Sequence, residues 1–199
     1  MASSCNVSRR PSYSSSTLVV YSVSLVFLLM ISVNKAAAAT NIDASNATAK
    51  VCADTKNPPL CIEILNNDQR TASGADVLLI ATVTTNLSQI NATDTQNYIT
   101  TLLKSVTAPS AQIIHLKTCS LSFEIVVPNL NLIANILQSG GDYKRAHQLA
   151  TDAMSHVADC ENGFSSPPAI QSPLTDRNNN LGSLVDIVIS ATNLLSPFT

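Results

Sequence analysis

Apolar positions between residues 116 and 160 follow a helical pattern that is interrupted once. Steps of three and four residues join the apolar positions of the first half: Leu116, Cys119, Phe123, Val126, Leu130, Ile133 and Leu137. A second series of the same kind follows: Ala146, Leu149, Ala150, Ala153, Val157 and Cys160. Such spacing is typical of helices that pack against other helices. Ser139-Gly140-Gly141 separates the two series with residues that commonly end helices. We therefore predict an antiparallel helical hairpin.

One cysteine lies near each open end of this hairpin. Cys119 and Cys160 are equally distant from the Ser139/Gly140 step. Because each helical residue rises by about 1.5 Å, both cysteines come to the same height. A disulfide between them requires no distortion of the hairpin. The rest of the chain is predicted to pack on these two clasped helices.

The flanking segments predict further helices and three connectors. Asn41–Asn66 is interpreted as a short helical hairpin that turns at Pro58-Pro59, with apolar contacts from its second arm (Ile62, Ile64 and Leu65). Asn67–Gly74 is predicted to be a polar linker, Thr107–Ser110 a connector, and Gly163–Asp176 a loop. The last helix has apolar positions in strict three-four alternation and ends before Pro197: Leu181, Leu184, Val188, Ala191 and Leu195.

The segment Gly74–Ser105 allows more than one interpretation. One apolar series and a second series out of phase with it are present: Ile80, Val83, Leu87 and Ile90, then Ile99, Leu102 and Val106. Val77–Val83 also resembles a strand, but no partner strand is present elsewhere, so a helix is favoured. We predict a bend or stutter near Asn91, and a kink at Pro128 in the first clasped helix. The fold class is all-α, an up-down-up-down four-helix bundle with a disulfide-pinned N-terminal helical hairpin.

The first 39 residues are predicted to be a secretory signal peptide. Arg9 and Arg10 precede the apolar run Leu18–Val33, and alanines follow at 36–39. A membrane anchor is the alternative, although sixteen residues are few for a span. The mature domain, residues 40–199, then keeps eight of the 11 basic residues and all 13 acidic ones, a net charge of −5. No basic cluster suggests nucleic acid, and no membrane association is expected after cleavage.

Four cysteines remain in the mature chain, and an even number in a secreted protein indicates disulfides. Three connectivities are possible, and the hairpin geometry selects Cys119–Cys160, which leaves Cys52–Cys61. On the loop-entropy model these bonds stabilise the fold by about 4 and about 3 kcal/mol.

The sequons at Asn46, Asn86 and Asn91 are candidate glycosylation sites.

The sequence contains few residues suited to catalysis. His115, His147 and His156 are its only histidines, and no HExxH, GxSxG, Walker A or GxGxxG motif occurs. We therefore expect no enzyme activity, no cofactor and no metal, although sites assembled from distant residues escape motif searches.

Two polar stripes lie opposite the apolar series, one on each clasped helix: Lys117, Ser120, Glu124, Asn131, Asn135 and Gln138, then Lys144, Gln148, Thr151, Ser155 and Asp159. These stripes are either an ordinary solvated face or a rigid protein-binding face.

The cysteine frame resembles that of the plant invertase and pectin methylesterase inhibitors. The resemblance covers the mature chain and is carried by these landmarks: Val51–Cys61, Leu116–Cys119, Gly141–Tyr143, Asp159–Phe164, Ser172–Leu174 and Asn193–Leu195. It implies a four-helix bundle with an N-terminal hairpin and the same two disulfides. It also implies a non-enzymatic protein, secreted to the apoplast and cell wall or to the vacuole, that blocks the substrate cleft of a carbohydrate-active enzyme.

The resemblance leaves two targets open, each expected as a 1:1 protein complex. Tyr143 and the Asn57–Cys61 turn favour pectin methylesterase, whereas Ser122-Phe123 is closer to the inhibitors of acid invertase, a β-fructofuranosidase. The invertase group typically carries Pro-Lys-Phe where this chain has Tyr143-Lys144-Arg145, so only the lysine matches. Helical phase and the resemblance predict these target-binding residues: Glu124, Lys144, Thr151, Ser155 and Asp159.

Two further hypotheses lie outside the inhibitor class. An extracellular helical binding protein without an enzyme target would have a roomy apolar cavity, whereas an inhibitor would have a filled core. A detached pro-region of a pectin methylesterase is the other, although no catalytic domain follows Thr199 in this sequence.

Overall fold

The computed structural model describes residues 47–105 and 110–196, in which every regular element is a helix. The predicted signal segment 1–39 lies outside these residues, as do Asn46, Val106, Pro109 and Pro197. The helices in chain order are α1 (47–53), α2 (Pro58–Asn67), α3 (Gln69–Ala72), α4 (Val77–Ser105), α5 (Ala111–Ser139), α6 (Tyr143–Ser165) and α7 (Thr175–Leu195).

Helices α4 to α7 form the predicted up-down-up-down bundle. Each long helix packs against the next one in the chain, and α4 also packs against α7, which closes the ring. The apolar series of α5 and α6 are buried throughout, and that of α7 is buried up to Ala191, with Leu195 half-buried. The hydrophobic pattern therefore identified the core-facing sides of three of the four helices correctly.

Helices α5 and α6 are joined at one end of their hairpin by a turn and at the other end by a disulfide. At its turn, Gly140 adopts a left-handed conformation with φ of 66°, which glycine tolerates without a Cβ clash. Asp142 then caps α6 by accepting a hydrogen bond from the amide of Arg145 at 2.9 Å. At the open end, Cys119 and Cys160 form a disulfide with their Cα atoms 4.4 Å apart. This is the pairing that the hairpin geometry selects.

The N-terminal hairpin of α1 and α2 is attached to α7. Its own disulfide joins Cys52 to Cys61, with the Cα atoms 5.5 Å apart. The Ser190 hydroxyl donates to the carbonyl of Val51 at 2.6 Å. The amide of Lys56 donates to the Asp186 carboxylate at 2.7 Å. Two backbone groups of the hairpin are thus satisfied by side chains of the bundle.

Two expectations about this region were wrong. Ile62 was expected to provide apolar contacts but is 42% exposed, and the contacts of α2 come from Leu65 and Ile64 instead. The predicted linker contains the single-turn helix α3, which is too short to show a hydrophobic period. Asp68 caps α3, and its hydrogen bonds to the Arg70 side chain lower the pKa of its carboxyl to about 2.

The loop before α7 is shorter than predicted, because α6 continues to Ser165 and α7 begins at Thr175. The Glu161 carboxylate accepts hydrogen bonds from the hydroxyls of Ser172 at 3.0 Å and Thr175 at 2.6 Å. It also accepts one from the Asn178 amide at 2.8 Å. These bonds hold the short loop against α6 and position the first turn of α7.

Helix α4 is helical without interruption, and the predicted stutter near Asn91 is wrong. Ile90, assigned to the core, is 61% exposed, and Leu87 is only half-buried. The buried positions of α4 instead continue in one phase along its length and include Ile80, Ala81, Thr84, Ser88, Ala92, Thr95 and Ile99. The apparent phase change arose because hydroxyl-bearing residues in the core were counted as polar.

Hydrogen bonds to the preceding turn allow these hydroxyls to be buried. The side chains of Thr84 and Ser88 each donate to the carbonyl four residues earlier at 2.8 Å. Thr95 makes the same bond at 2.8 Å to the carbonyl of Asn91. A hydroxyl satisfied within its own helix carries little of the desolvation cost that normally excludes polar groups from a core. Hydrophobicity alone cannot reveal this arrangement.

Thr85 provides a test, because it is fully buried and its hydroxyl has no hydrogen-bond partner among the described residues. We expect Thr85→Val to raise the free energy of unfolding by about 1 kcal/mol, since it removes an unsatisfied buried group at nearly constant volume. Urea denaturation measures the change. Thr84→Val is the matched control and should lower the free energy by about 0.5–1 kcal/mol, because its hydroxyl is paired. A Thr85→Val variant no more stable than the wild type would contradict this account.

Removing each disulfide in turn tests how much it stabilises the fold. Replacing Cys119 and Cys160 with alanine should lower the free energy of unfolding by about 4 kcal/mol, and replacing Cys52 and Cys61 by about 3 kcal/mol, because the first pair closes the longer loop. Denaturant titration of both variants gives the comparison. A smaller loss for the Cys119/Cys160 pair than for the Cys52/Cys61 pair would show that the clasp is not the dominant covalent constraint.

Candidate functional site

Two hydrogen bonds identify the sides of α5 that border its neighbours. The Gln89 amide of α4 donates to the Asn131 side-chain oxygen at 2.7 Å. The Asn129 amide donates to the Asp152 carboxylate of α6 at 2.8 Å. Because successive helical residues are about 100° apart, Asn131 marks the α4 edge of α5 and Asn129 marks the α6 edge. The outward face of α5 lies between these edges.

All five predicted target-binding residues are exposed: Glu124, Lys144, Thr151, Ser155 and Asp159. Glu124 lies seven residues before Asn131, which puts it on the α4 edge of α5. The other four residues belong to the outward side of α6. They therefore lie on adjacent helices without forming one continuous polar surface with Glu124.

A row of exposed apolar side chains lies on the α6 side of the outward face of α5. We call it the α5 strip: Ile114 (59% exposed), Leu121 (64%), Ile125 (39%) and Leu132 (48%). Ile125 precedes Asn129 by one helical turn and Leu132 follows it by nearly one turn, which locates the row. Helix α5 is long and apolar enough to cross a membrane by length and composition alone. Its core series and the α5 strip together account for that composition.

Carboxylates border the α5 strip on both sides. On α6, Asp152 and Asp159 flank His156, whose Nε2 and Nδ1 atoms each lie 3.8 Å from one of the two carboxylates. Glu124 is exposed on the opposite edge of α5. His156 is partly buried, with 26% of its side chain exposed. The result is an apolar row bordered by three carboxylates and, near the disulfide, by the exposed ammonium group of Lys117.

The other two histidines have structural partners. The Nε2 atom of His115, which is buried, lies 3.0 Å from the carbonyl of Pro168, and the Nδ1 atom of His147 lies 3.1 Å from the carbonyl of Ile189. The first contact ties the loop before α7 to α5, and the second ties α6 to α7. No group of three or more His, Cys, Asp or Glu residues suited to a metal ion occurs in the part of the chain that the structure describes.

A partly open cleft of about 350 Å³ lies between the N-terminal hairpin and the α6–α7 pair. Its lining is mixed, with Lys56, Glu161 and Asp186 beside apolar residues such as Leu60 and Met154. The ligand-binding hypothesis requires a roomy apolar cavity inside the bundle. This cleft lies outside the core and has a polar border.

Two of the three sequons lie on α4. Asn86 and Asn91 are half-buried, and the side-chain oxygen of Asn91 is buried without a hydrogen-bond partner among the described residues. Asn91 is one turn before Thr95 on the core side of the helix, whereas the neighbouring Ile90 faces outward. Of these two positions, Asn91 is the more constrained for a glycan.

Residues 46–190 match the family model described as plant invertase/pectin methylesterase inhibitor. This match spans most of the chain and includes both disulfides and the whole α5–α6 hairpin. The chain therefore belongs to this family, whose members are protein inhibitors of enzymes rather than enzymes.

Individual relatives agree with this assignment. A pectinesterase inhibitor from Actinidia deliciosa is 29% identical over 185 residues, which cover 92% of this chain and 96% of that protein. Pectinesterase inhibitor 5 from Arabidopsis thaliana is 24% identical over 149 residues, covering 73% and 81% of the two chains. The fold is shared with a crystal structure of a mutant pectin methylesterase inhibitor from Arabidopsis. That structure has a TM-score of 0.66 and 20% identity, and the match covers 75% of this chain and 97% of the other.

Proposed function

We propose that this protein inhibits a plant pectin methylesterase by binding over its substrate cleft in a 1:1 complex. The observation that carries the proposal is an exposed α5–α6 face, clasped by Cys119–Cys160, in a member of an inhibitor family. Two relatives of this chain are named as pectinesterase inhibitors, which supports the choice of target.

Inhibition of this kind requires shape and rigidity rather than chemistry. The disulfide and the Gly140 turn hold α5 and α6 in one geometry, so little conformational entropy is lost when the face binds. Exposed polar residues beside the α5 strip supply hydrogen bonds and charges for orientation: Glu124, Lys144, Thr151, Ser155 and Asp159. Excluding the polymeric substrate from the cleft then suffices to stop the enzyme.

Acid invertase is the second candidate target, and Lys144 is the observation that favours it. This lysine is exposed in the first turn of α6, three residues after Gly141, at the turn end of the α5–α6 hairpin. A single lysine at such a tip is suited to insertion into an acidic active site. The family model names both enzyme classes.

Parallel titrations against a pectin methylesterase and an acid invertase test the proposal. We expect the refolded mature protein to abolish pectin methylesterase activity near one molar equivalent and to leave the invertase active. Thr151→Trp should raise the inhibition constant at least about 100-fold by steric overlap, and Glu124→Trp should do the same. Melting temperatures of both variants should remain close to that of the wild type.

Thr100→Trp is the matched control for Thr151→Trp. Both threonines are exposed on long helices and donate to the carbonyl four residues earlier, at 3.0 Å for Thr100 and 2.9 Å for Thr151. The control should inhibit like the wild type. Equal inhibition by Thr151→Trp and Thr100→Trp would discard the assignment of Thr151 to the interface.

We also propose that residues 1–39 are removed on secretion to the apoplast and that residues 40–199 form the working domain. The basic start, apolar run and alanines of the N-terminus support this processing. Intact mass of the protein secreted by plant cells should correspond to a chain beginning at Thr40. Enzymatic deglycosylation should then reduce the mass if Asn46, Asn86 or Asn91 is occupied. Retention of the first 39 residues would refute the proposed processing.

A further inference from the structure

We propose that the α5 strip, and above all Leu121 and Ile125, is the centre of the contact with the target enzyme. The proposal rests on the inhibitor function above and specifies its partner surface. That surface is a patch of the pectin methylesterase with apolar side chains in the middle and lysine or arginine side chains around them. The polar residues identified from the sequence would then form the border of the interface.

Exposed apolar side chains are concentrated on α5. Within residues 47–105 and 110–196, eight large hydrophobic residues have substantial exposure, and four of them form the α5 strip. The other four are distributed over three helices: Ile62, Leu79, Ile90 and Leu194. Isolated exposed apolar residues are normal on protein surfaces, but a row of them along one helix marks an interaction site.

The α5 strip is held rigidly at one end. Leu121 follows Cys119 by two residues and Ile125 by six, so both lie within two helical turns of the disulfide. On the α6 side, the hydrogen bond between Asn129 and Asp152 fixes the next turn. Apolar side chains on such a support lose little freedom on binding, and most of the burial free energy remains available for affinity.

Charge around the α5 strip specifies the kind of partner. Glu124 and, seven residues earlier, the exposed Lys117 lie on one side, and Asp152 and Asp159 lie on the other, with side chains 55% and 60% exposed. The charged side chains of α6 at the turn end, Lys144 and Arg145, are separated from these carboxylates by at least one helical turn. Three carboxylates outnumber the one ammonium group in this border, and an apolar centre with a border that is acidic on balance fits an enzyme surface whose own apolar centre has a mainly basic border.

This arrangement predicts how affinity depends on salt. Apolar burial at the centre is insensitive to ionic strength, whereas attraction between the charged borders is screened within about 10 Å at 0.1 M salt. Raising the salt concentration should therefore slow association more than it speeds dissociation. An interface made mainly of the polar stripes would instead lose most of its affinity.

Serine substitutions test the α5 strip with a control of equal exposure. Leu121→Ser should raise the inhibition constant against pectin methylesterase at least about tenfold, and Leu121→Ser/Ile125→Ser at least about 100-fold, from lost apolar burial. Ile90→Ser on α4 removes an apolar side chain that is 61% exposed, compared with 64% for Leu121. It should leave the inhibition constant unchanged. Melting temperatures and the oligomeric state are measured for every variant, because leucine has a higher helix propensity than serine, whereas isoleucine and serine are similar.

Each result supports or overturns the proposal. If the wild type inhibits and Leu121→Ser inhibits equally well, the α5 strip is not the centre, although the inhibitor function stands. If the wild type inhibits neither enzyme, both proposals fail. If the wild type dimerises and Leu121→Ser removes the dimer without changing inhibition, the row is a contact between copies of this chain, and the proposal is overturned.

Discussion

The covalent link between Cys119 and Cys160 is the constraint on which the proposed target-binding face depends. Helices α5 and α6 each contribute one side to the core and one side to the exterior. A shift of one helix along the other would disrupt both sides together, because side chains of the core and of the outward face belong to the same turns. The disulfide at one end and the Gly140 turn at the other prevent that shift. The core and the exposed face are thereby held in register by the same two features.

Hydrophobic spacing predicted the helices whose core is aliphatic. In α5, α6 and α7 every position of the predicted apolar series except Leu195 is buried, because mostly apolar side chains fill the core sides of these helices. In α4 the core side contains Thr84, Ser88 and Thr95, whose hydroxyls bond to their own helix. Because these hydroxyl-bearing residues were counted as polar, the predicted core side of α4 was rotated toward Ile90. The helix and the buried residues Ile80, Val83 and Ile99 were predicted correctly, but the core side between Val83 and Ile99 was not.

The residues of the candidate site were likewise predicted only in part. Helical phase identified outward positions such as Glu124 and Thr151, and the structure shows them exposed. Phase within one helix does not reveal which neighbour borders each edge, and that depends on tertiary contacts such as Gln89 with Asn131. The α5 strip was present in the sequence as apolar residues at helical spacing outside the core series. It was not predicted, because only polar residues opposite the core series were assigned to the target-binding face, and Leu121 and Ile125 are apolar.

The attachment of the N-terminal hairpin has a further consequence for how the molecule evolves. Ser190 and Asp186 of α7 bind the backbone of the hairpin, and α7 lies across the ring from α5. Sequence drift in the hairpin is therefore expected to alter the lifetime of the folded protein without altering its choice of enzyme. Substitutions along α5 should instead alter the choice of enzyme and leave the lifetime of the folded protein unchanged. With the proposed contact on α5, substitutions that affect stability and substitutions that affect target choice would lie on opposite helices of the bundle.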